Sequence, residues 1–180
     1  NLNVSLSIIE KSDLPYYLRE SEASVVPIIL SIPHCGTAFP DELVEDYLPE
    51  QRDHIDDTDW FLQDLYNFAP ELGITTIYAR YHRWVIDLNR DPDSKPLYND
   101  GRIITALTPT TDFLGNAIYE KEKEPNPEEV NRRLERYYWP YYRKIQELLD
   151  ERIKQFGHVL LWDAHSIRES VPTIREEKFP

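Results

Sequence analysis

Hydrophobic residues in this chain gather in short runs set between long polar stretches, and three of the runs end in side chains capable of chemistry. Residues 25–33 lead into His34, residues 84–88 into Asn89 and Arg90, and residues 158–163 into His165. Runs this short and rich in Val, Ile and Leu predict buried strands of an α/β sheet. A further strand is predicted over 74–79, and an edge strand over 4–9 ahead of a polar connector that contains Pro15. Between the strands the period changes. Pro40 opens a short helical segment carrying Leu43 and Leu48, and Phe61, Leu65, Phe68, Ala69 and Leu72 follow the 3–4 spacing of an amphipathic helix ended by Gly73.

A second, longer helix has clear punctuation. Asn126 is its expected cap, Pro127 its first turn, and Glu128 and Glu129 sit at its positive end. Val130, Leu134, Tyr138, Tyr141, Ile145, Leu149 and Ile153 form its apolar stripe, Pro140 is expected to kink it, and Gly157 ends it. Residues 91–126, rich in Pro, Asp, Asn, Gly and Thr, are long for a passive loop and read as a lid or binding segment. The order strand, helix, two strands, helix, strand gives one α/β domain over 1–180. In such sheets ligands bind beyond the carboxyl ends of the strands, where the two histidines and the Asn-Arg pair collect.

Composition narrows the partners. The 180 residues carry 33 acidic and 20 basic side chains, a net charge of −13. That balance argues against nucleic acid or an anionic membrane and leaves a small molecule as the expected partner, a homo-oligomer staying open. No run is long enough to span a membrane, and one cysteine, Cys35, forbids an intrachain disulfide, so cytoplasm is the default location. The chain begins at Asn1, contains no Met, and stops shortly after a strand-like run, so a fragment is expected.

The strand ends suggest specific roles. His34, followed by Gly36, is a metal ligand or general base, against the plainer alternative of a histidine bonded in a turn. Asp163 and His165 stand two apart, so in extended backbone the carboxylate can hold the imidazole as metal-binding histidines usually require. Asp56, Asp57 and Asp59 exceed what capping a helix needs; a cation relieves their repulsion, and Asp57 is preferred slightly over Asp59 as a third ligand. The Arg90 guanidinium, beside Asn89, offers a planar fork for a substrate carboxylate, with Arg80, Arg83 and Arg168 as candidate companions. Arg83 opens its predicted strand and needs a bend to reach the crevice. Cys35 reads as a buried, inert thiol, and His54, His82 and His158 as solvated or structural.

Four segments, taken together, resemble the N-formylglutamate deformylase (N-formylglutamate amidohydrolase) family: Ser-Ile-Pro-His-Cys-Gly-Thr at 31–37, Asp-Thr-Asp-Trp at 57–60, Arg-Trp-Val-Ile-Asp-Leu-Asn-Arg at 83–90, and Leu-Trp-Asp-Ala-His-Ser-Ile-Arg at 161–168. They run in the family's order and cover the chain from about residue 25 onward. Cys35 stands where the family often has Ser or Thr. The family is more distantly similar to zinc carboxypeptidases and aspartoacylase. That resemblance implies a three-layer αβα fold with a mixed, mostly parallel sheet, zinc-carboxypeptidase-like (phosphorylase/hydrolase-like) and incomplete at its C terminus.

The resemblance also implies Zn2+ or another divalent metal on His34 and His165, and substrate held by Asn89, Arg90 and Arg168. Arg83 is the catalytic candidate for the oxyanion. The relatives' third ligand, a Glu three residues after the first His, is replaced by Thr37, so Asp57 or Asp59 is expected to substitute. The implied reaction is hydrolysis of N-formyl-L-glutamate to L-glutamate and formate in histidine breakdown. Its general base, a Glu on a later strand, is expected beyond Pro180. A related amidohydrolase for another N-acyl amino acid, and an inactive truncated homologue acting as a binding module, are the alternatives.

Overall fold

In a computed structural model that describes residues 14–93 and 107–166, four strands form one mixed sheet. They are β1 (Tyr16–Arg19), β2 (Ile28–Ile32), β3 (Thr75–Ala79) and β4 (Leu160–Asp163), in the order β1-β3-β2-β4. β2 runs parallel to both β3 and β4, and β1 is antiparallel to β3. Ser31 of β2 lies opposite Ile77 on one side and Asp163 on the other. The carboxyl ends of β2 and β4 are therefore level, and the residues that follow them meet.

Alternation along β2 builds the layers. Leu30 and Ile32 join Cys35, Leu62, Ala69 and Ala164 in one buried cluster. On the other face the Ser31 hydroxyl meets the Tyr141 hydroxyl at 2.9 Å, beneath the larger cluster of Ile77, Trp84, Tyr137 and Ile145. The long helical rod on that face comprises α3 (Pro127–Arg133), a π-helical turn (Leu134–Tyr138) and α4 (Trp139–Phe156). The opposite face carries α2 (Leu62–Leu65), whose Leu62 joins Ala69 in the smaller cluster, while α1 (Pro49–Asp53) follows Leu43 and Tyr47 of the larger core, both helices lying within the connection from β2 to β3. This is the expected αβα layering with a mixed sheet.

The punctuation of the rod is as expected. Asn126 accepts from the Glu129 amide at 2.9 Å, Pro127 opens the first turn, and Gly157 closes the last with φ 79°. Pro140 lacks the N–H that would bond the Arg136 carbonyl, and the π turn falls immediately before it. Tyr138, Tyr141 and Ile145 are buried in the stripe, but Ile153 is 48% exposed.

Other expectations change. Residues 84–88 are not a strand: they form a turn-rich segment that is nonetheless buried from Trp84 to Leu88. Side chains replace the ladder, with Tyr47 and Tyr119 hydroxyls donating to the Trp84 carbonyl and Arg133 donating to that of Val85 at 3.0 Å. A fully buried apolar run satisfied in this way has the same sequence signature as a core strand. The helix expected over 61–72 is cut to α2 and a 3-10 turn at Pro70–Leu72, with Phe61 in the left-handed region at φ 62°. Of its expected core residues Ala69 is buried, but Phe61, Leu65, Phe68 and Leu72 are exposed, and Leu62 is buried in their stead.

The polar connector near Pro15 contains β1, whose Tyr16 and Leu18 pack on the larger core. β4 is exposed along its whole length rather than buried, and among the described residues it pairs with β2 alone. The edge strand expected over 4–9 lies outside the described residues, as do the chain ends and part of the 91–126 segment. No described helix is long and apolar enough to cross a membrane.

Candidate active site

His34 leaves β2 through a turn at Pro33 and is buried, 4% exposed. Its main chain is the anchor for the acidic loop. The His34 carbonyl accepts from the Asp59 amide at 2.8 Å and the Thr58 hydroxyl at 2.9 Å, and Thr58 also reaches the Gly36 carbonyl. β4 delivers the third element: the Ala164 amide continues the ladder onto the Ser31 carbonyl, and the Ser166 amide donates to Asp59 Oδ2 at 3.0 Å. As a result, donor atoms of His34, Asp59 and His165 all lie within 4.8 Å of one another.

The two imidazoles are oriented by the same device. His34 Nε2 donates to buried Asp87 Oδ1 at 2.5 Å, and His165 Nε2 bonds Asp163 Oδ2 at 3.0 Å. The Asp163–His165 pairing is the one expected from their spacing. His165 Nδ1 then faces Asp59 Oδ2 at 3.7 Å, and His34 Nδ1 accepts from the Arg83 guanidinium. Burial lowers the His34 pKa, so its ring is neutral. Burial alone would raise the Asp87 and Asp59 pKa values. The hydrogen bond from His34, and those from His165 and Ser166 respectively, overcome it and hold both carboxyls below their ordinary value. His165, paired with Asp163 and then Asp59, is raised to about 9. The site therefore couples two carboxylates and a neutral imidazole to one readily protonated imidazole.

Asp57, the preferred third ligand in the sequence, falls outside this group. Its backbone is left-handed, φ 59°, and its Oδ2 accepts from Trp84 Nε1 and the Phe113 amide, each at 3.1 Å. It is buried, 5% exposed, and pins the acidic loop to the 107–120 region. The turn between it and Asp59 separates the two side chains, and Asp59 is the residue brought to the histidines.

Arg83 arrives beside His34 because 83–85 is a turn and not the start of a strand; its guanidinium also lies 3.9 Å from Asp87 and over the Phe113 ring. Asn89 and Arg90 follow Asp87 after Leu88. The Asn89 amide donates to Asp87 Oδ1 at 2.8 Å, so the carboxylate that orients His34 also fixes the start of the Asn-Arg pair. Arg168 lies outside the described residues. Cys35 is buried against the Ile32 and Ala79 carbonyls with its thiol pushed up to about 12, an inert group as expected.

Two contributors were missed in the sequence. Asp87 is an acid inside an apolar run, and that misplaced charge was its one available signal. His82 is fully buried, donates to the Asp56 carbonyl at 2.7 Å and accepts from the Trp84 amide. Nothing in its sequence neighbours marks it as the support of the acidic loop.

The chain as a whole is similar to known proteins. Residues 26–180 match the model of the N-formylglutamate amidohydrolase family. Over 155 residues the chain is 42% identical to an N-formylglutamate deformylase of Pseudomonas putida and 43% identical to one of Pseudomonas aeruginosa. In each case 86% of this chain matches 57% of the relative, so the chain spans a little over half the length of these curated relatives. The crystal structure of N-formylglutamate amidohydrolase from Ralstonia eutropha JMP134 superposes with a TM-score of 0.71 at 26% identity, covering 85% of this chain and 58% of that one. A gene product of Agrobacterium tumefaciens shares the fold alone, at a TM-score of 0.70 and 17% identity over 89% of this chain and 60% of its own. With the family model covering everything from β2 onward, the chain belongs to the N-formylglutamate amidohydrolase family.

Proposed function

We propose that this chain carries the metal and substrate-carboxylate parts of a hydrolase that cleaves N-formyl-L-glutamate to L-glutamate and formate, in histidine breakdown in the cytoplasm. The observation that carries the reading is the convergence of His34, Asp59 and His165, joined through Asp87 to Asn89 and Arg90. Two imidazoles and a carboxylate, each histidine backed by its own acid, are a donor set suited to Zn2+, and three protein ligands leave a position open for water. The chain's residues fit the ion, with Asp59 as the third ligand where Asp57 had been preferred. Bound there, zinc would lower the pKa of water and polarise the formyl carbonyl.

The remaining work belongs to protein groups. Asp87 and Asp163 keep both Nε2 atoms occupied, so Nδ1 of each ring is the atom that would face the ion; binding it would displace the Arg83 contact from His34 and the extra proton from His165. Arg83, beside His34, is placed to receive the negative charge that develops on the formyl oxygen during attack. Asn89 and Arg90, with Arg168, bind a carboxylate of the acidic substrate and hold its amide against the reacting centre. Proton transfer to the leaving amine needs a further carboxylate, a role we assign to none of the described residues.

The test is formate release from N-formyl-L-glutamate by the full-length protein, before and after metal removal with a chelator and after adding Zn2+ back. Activity lost on chelation and restored by zinc supports the reading. A panel of N-acetyl and N-formyl amino acids tests the acyl group, and preference for another acyl amide overturns the deformylase assignment.

A further inference from the structure

The 87–90 turn is held on its inner side by Asp87, whose Oδ1 accepts from the Asn89 amide and whose carbonyl accepts from the Arg90 amide. Its outer side is held from the helical rod. The Tyr142 hydroxyl donates to the Leu88 carbonyl, and the Tyr138 hydroxyl donates to the Arg90 carbonyl at 2.8 Å. Those two carbonyls flank Asn89. Tyr138 ends the π turn and Tyr142 lies one helical turn further on, with ring centroids 4.9 Å apart. Tyr138, Tyr141 and Tyr142 stand at i, i+3 and i+4 and so share one face of the helix. Tyr141, meanwhile, is committed to Ser31 and Ile77.

A structural explanation accounts for one of the two bonds: Leu88 is buried and its carbonyl needs a partner, whereas Asn89 is exposed and Arg90 partly so, and the Arg90 carbonyl could bond water at little cost. Two hydroxyls of half-buried or buried tyrosines instead fix the turn from both flanks. Burial raises both phenol pKa values, so they remain donors across the physiological range.

We propose that Tyr138 and Tyr142 are positioning residues that hold Asn89 and Arg90 as the receptor for a carboxylate of the substrate. This rests on the deformylase reading for the identity of the substrate, but the clamp itself is a property of the turn. Because Asp87 holds both His34 and Asn89, slack in the clamp shifts the carboxylate receptor relative to the metal residues. Its effect falls on substrate capture more than on the chemical step.

The experiment compares the full zinc-loaded chain with Tyr138→Phe, Tyr142→Phe and the double variant, using Tyr137→Phe as a control whose lost hydroxyl serves Glu42. Each phenylalanine keeps the ring and its packing. For N-formyl-L-glutamate the double variant should raise KM by ~10-fold, with kcat within ~2-fold of the parent. An N-formylalkylamine lacking carboxylates should be turned over equally by all forms. Amide hydrogen exchange at Asn89 and Arg90 should quicken in the double variant and not in the control. An unchanged KM, an equal loss with both substrates, or unchanged exchange overturns the proposal. A full-length parent that releases no formate overturns the deformylase reading instead; the clamp is then judged by exchange at Asn89 and Arg90 and by calorimetric binding of L-glutamate, neither of which needs turnover.

Discussion

Replacing Asp59 with Asn removes a charged donor from the His34–His165 group while leaving an acceptor for the Ser166 amide. Zinc affinity, measured by competition with a chromogenic chelator, should fall by more than the ~10–100-fold expected when an outer hydrogen-bond partner is lost, as for Asp87→Asn. Asp57→Asn should behave differently, because Asp57 serves Trp84 and Phe113. It is expected to keep zinc affinity and lose roughly 1–3 kcal/mol in urea unfolding. The histidines were legible in the sequence because each follows a strand, and His165 has its acid two residues earlier. The choice between the two aspartates was not. It depends on a positive φ at Asp57, a conformation that Asp tolerates but no neighbouring residue announces.

At the scale of elements, the approach of β2's exit to β3's exit sets the site. A Cβ on Gly36 would lie 2.1 Å from the Tyr81 carbonyl oxygen and 2.9 Å from the Arg80 carbonyl carbon. What Gly36 admits is the close approach of the neighbouring main chain. Gly36→Ala must push these exits apart, and should lower unfolding free energy by about 3 kcal/mol while weakening zinc binding through His34. Denaturant titration and chelator competition on the same variant check both. Caps and breakers of the rod were readable because Asn126, Pro127 and Gly157 act through local backbone chemistry. The 84–88 segment and α2 were misread because their fate is tertiary. Tyr47, Tyr119 and Arg133, distant in sequence, satisfy the first, while Pro70 and the left-handed Phe61 break the second.

Across the whole molecule His82 joins three parts: it donates to the acidic loop at Asp56, accepts from the buried segment at Trp84, and stacks on Phe39 with centroids 5.7 Å apart. Burial drives its pKa down to about 3 from an ordinary 6.5. The sign follows from proton counting. Above pH 6.5 the ring is neutral folded or unfolded, so it adds no slope. Between pH 6.5 and about 3 the unfolded chain binds a proton that the folded chain refuses, and stability falls as pH falls, by about 1.4 kcal/mol per unit well inside that window. The carboxyls of Asp112 and Glu129, held below 3.8 and 4.5 by their hydrogen bonds despite opposing burial, lose their contribution only at the acid end of this range. His82→Gln offers an amide in place of the imidazole and has no proton to take up. Although less stable at pH 7, the variant should lose less stability than the parent on acidification. The gap between their urea-unfolding free energies should therefore narrow steadily from pH 6.5 to pH 4.5, because the carboxyls contribute equally to both proteins. A gap that stays constant over that interval would show that His82 is protonated in the folded chain and is not the source of its acid sensitivity.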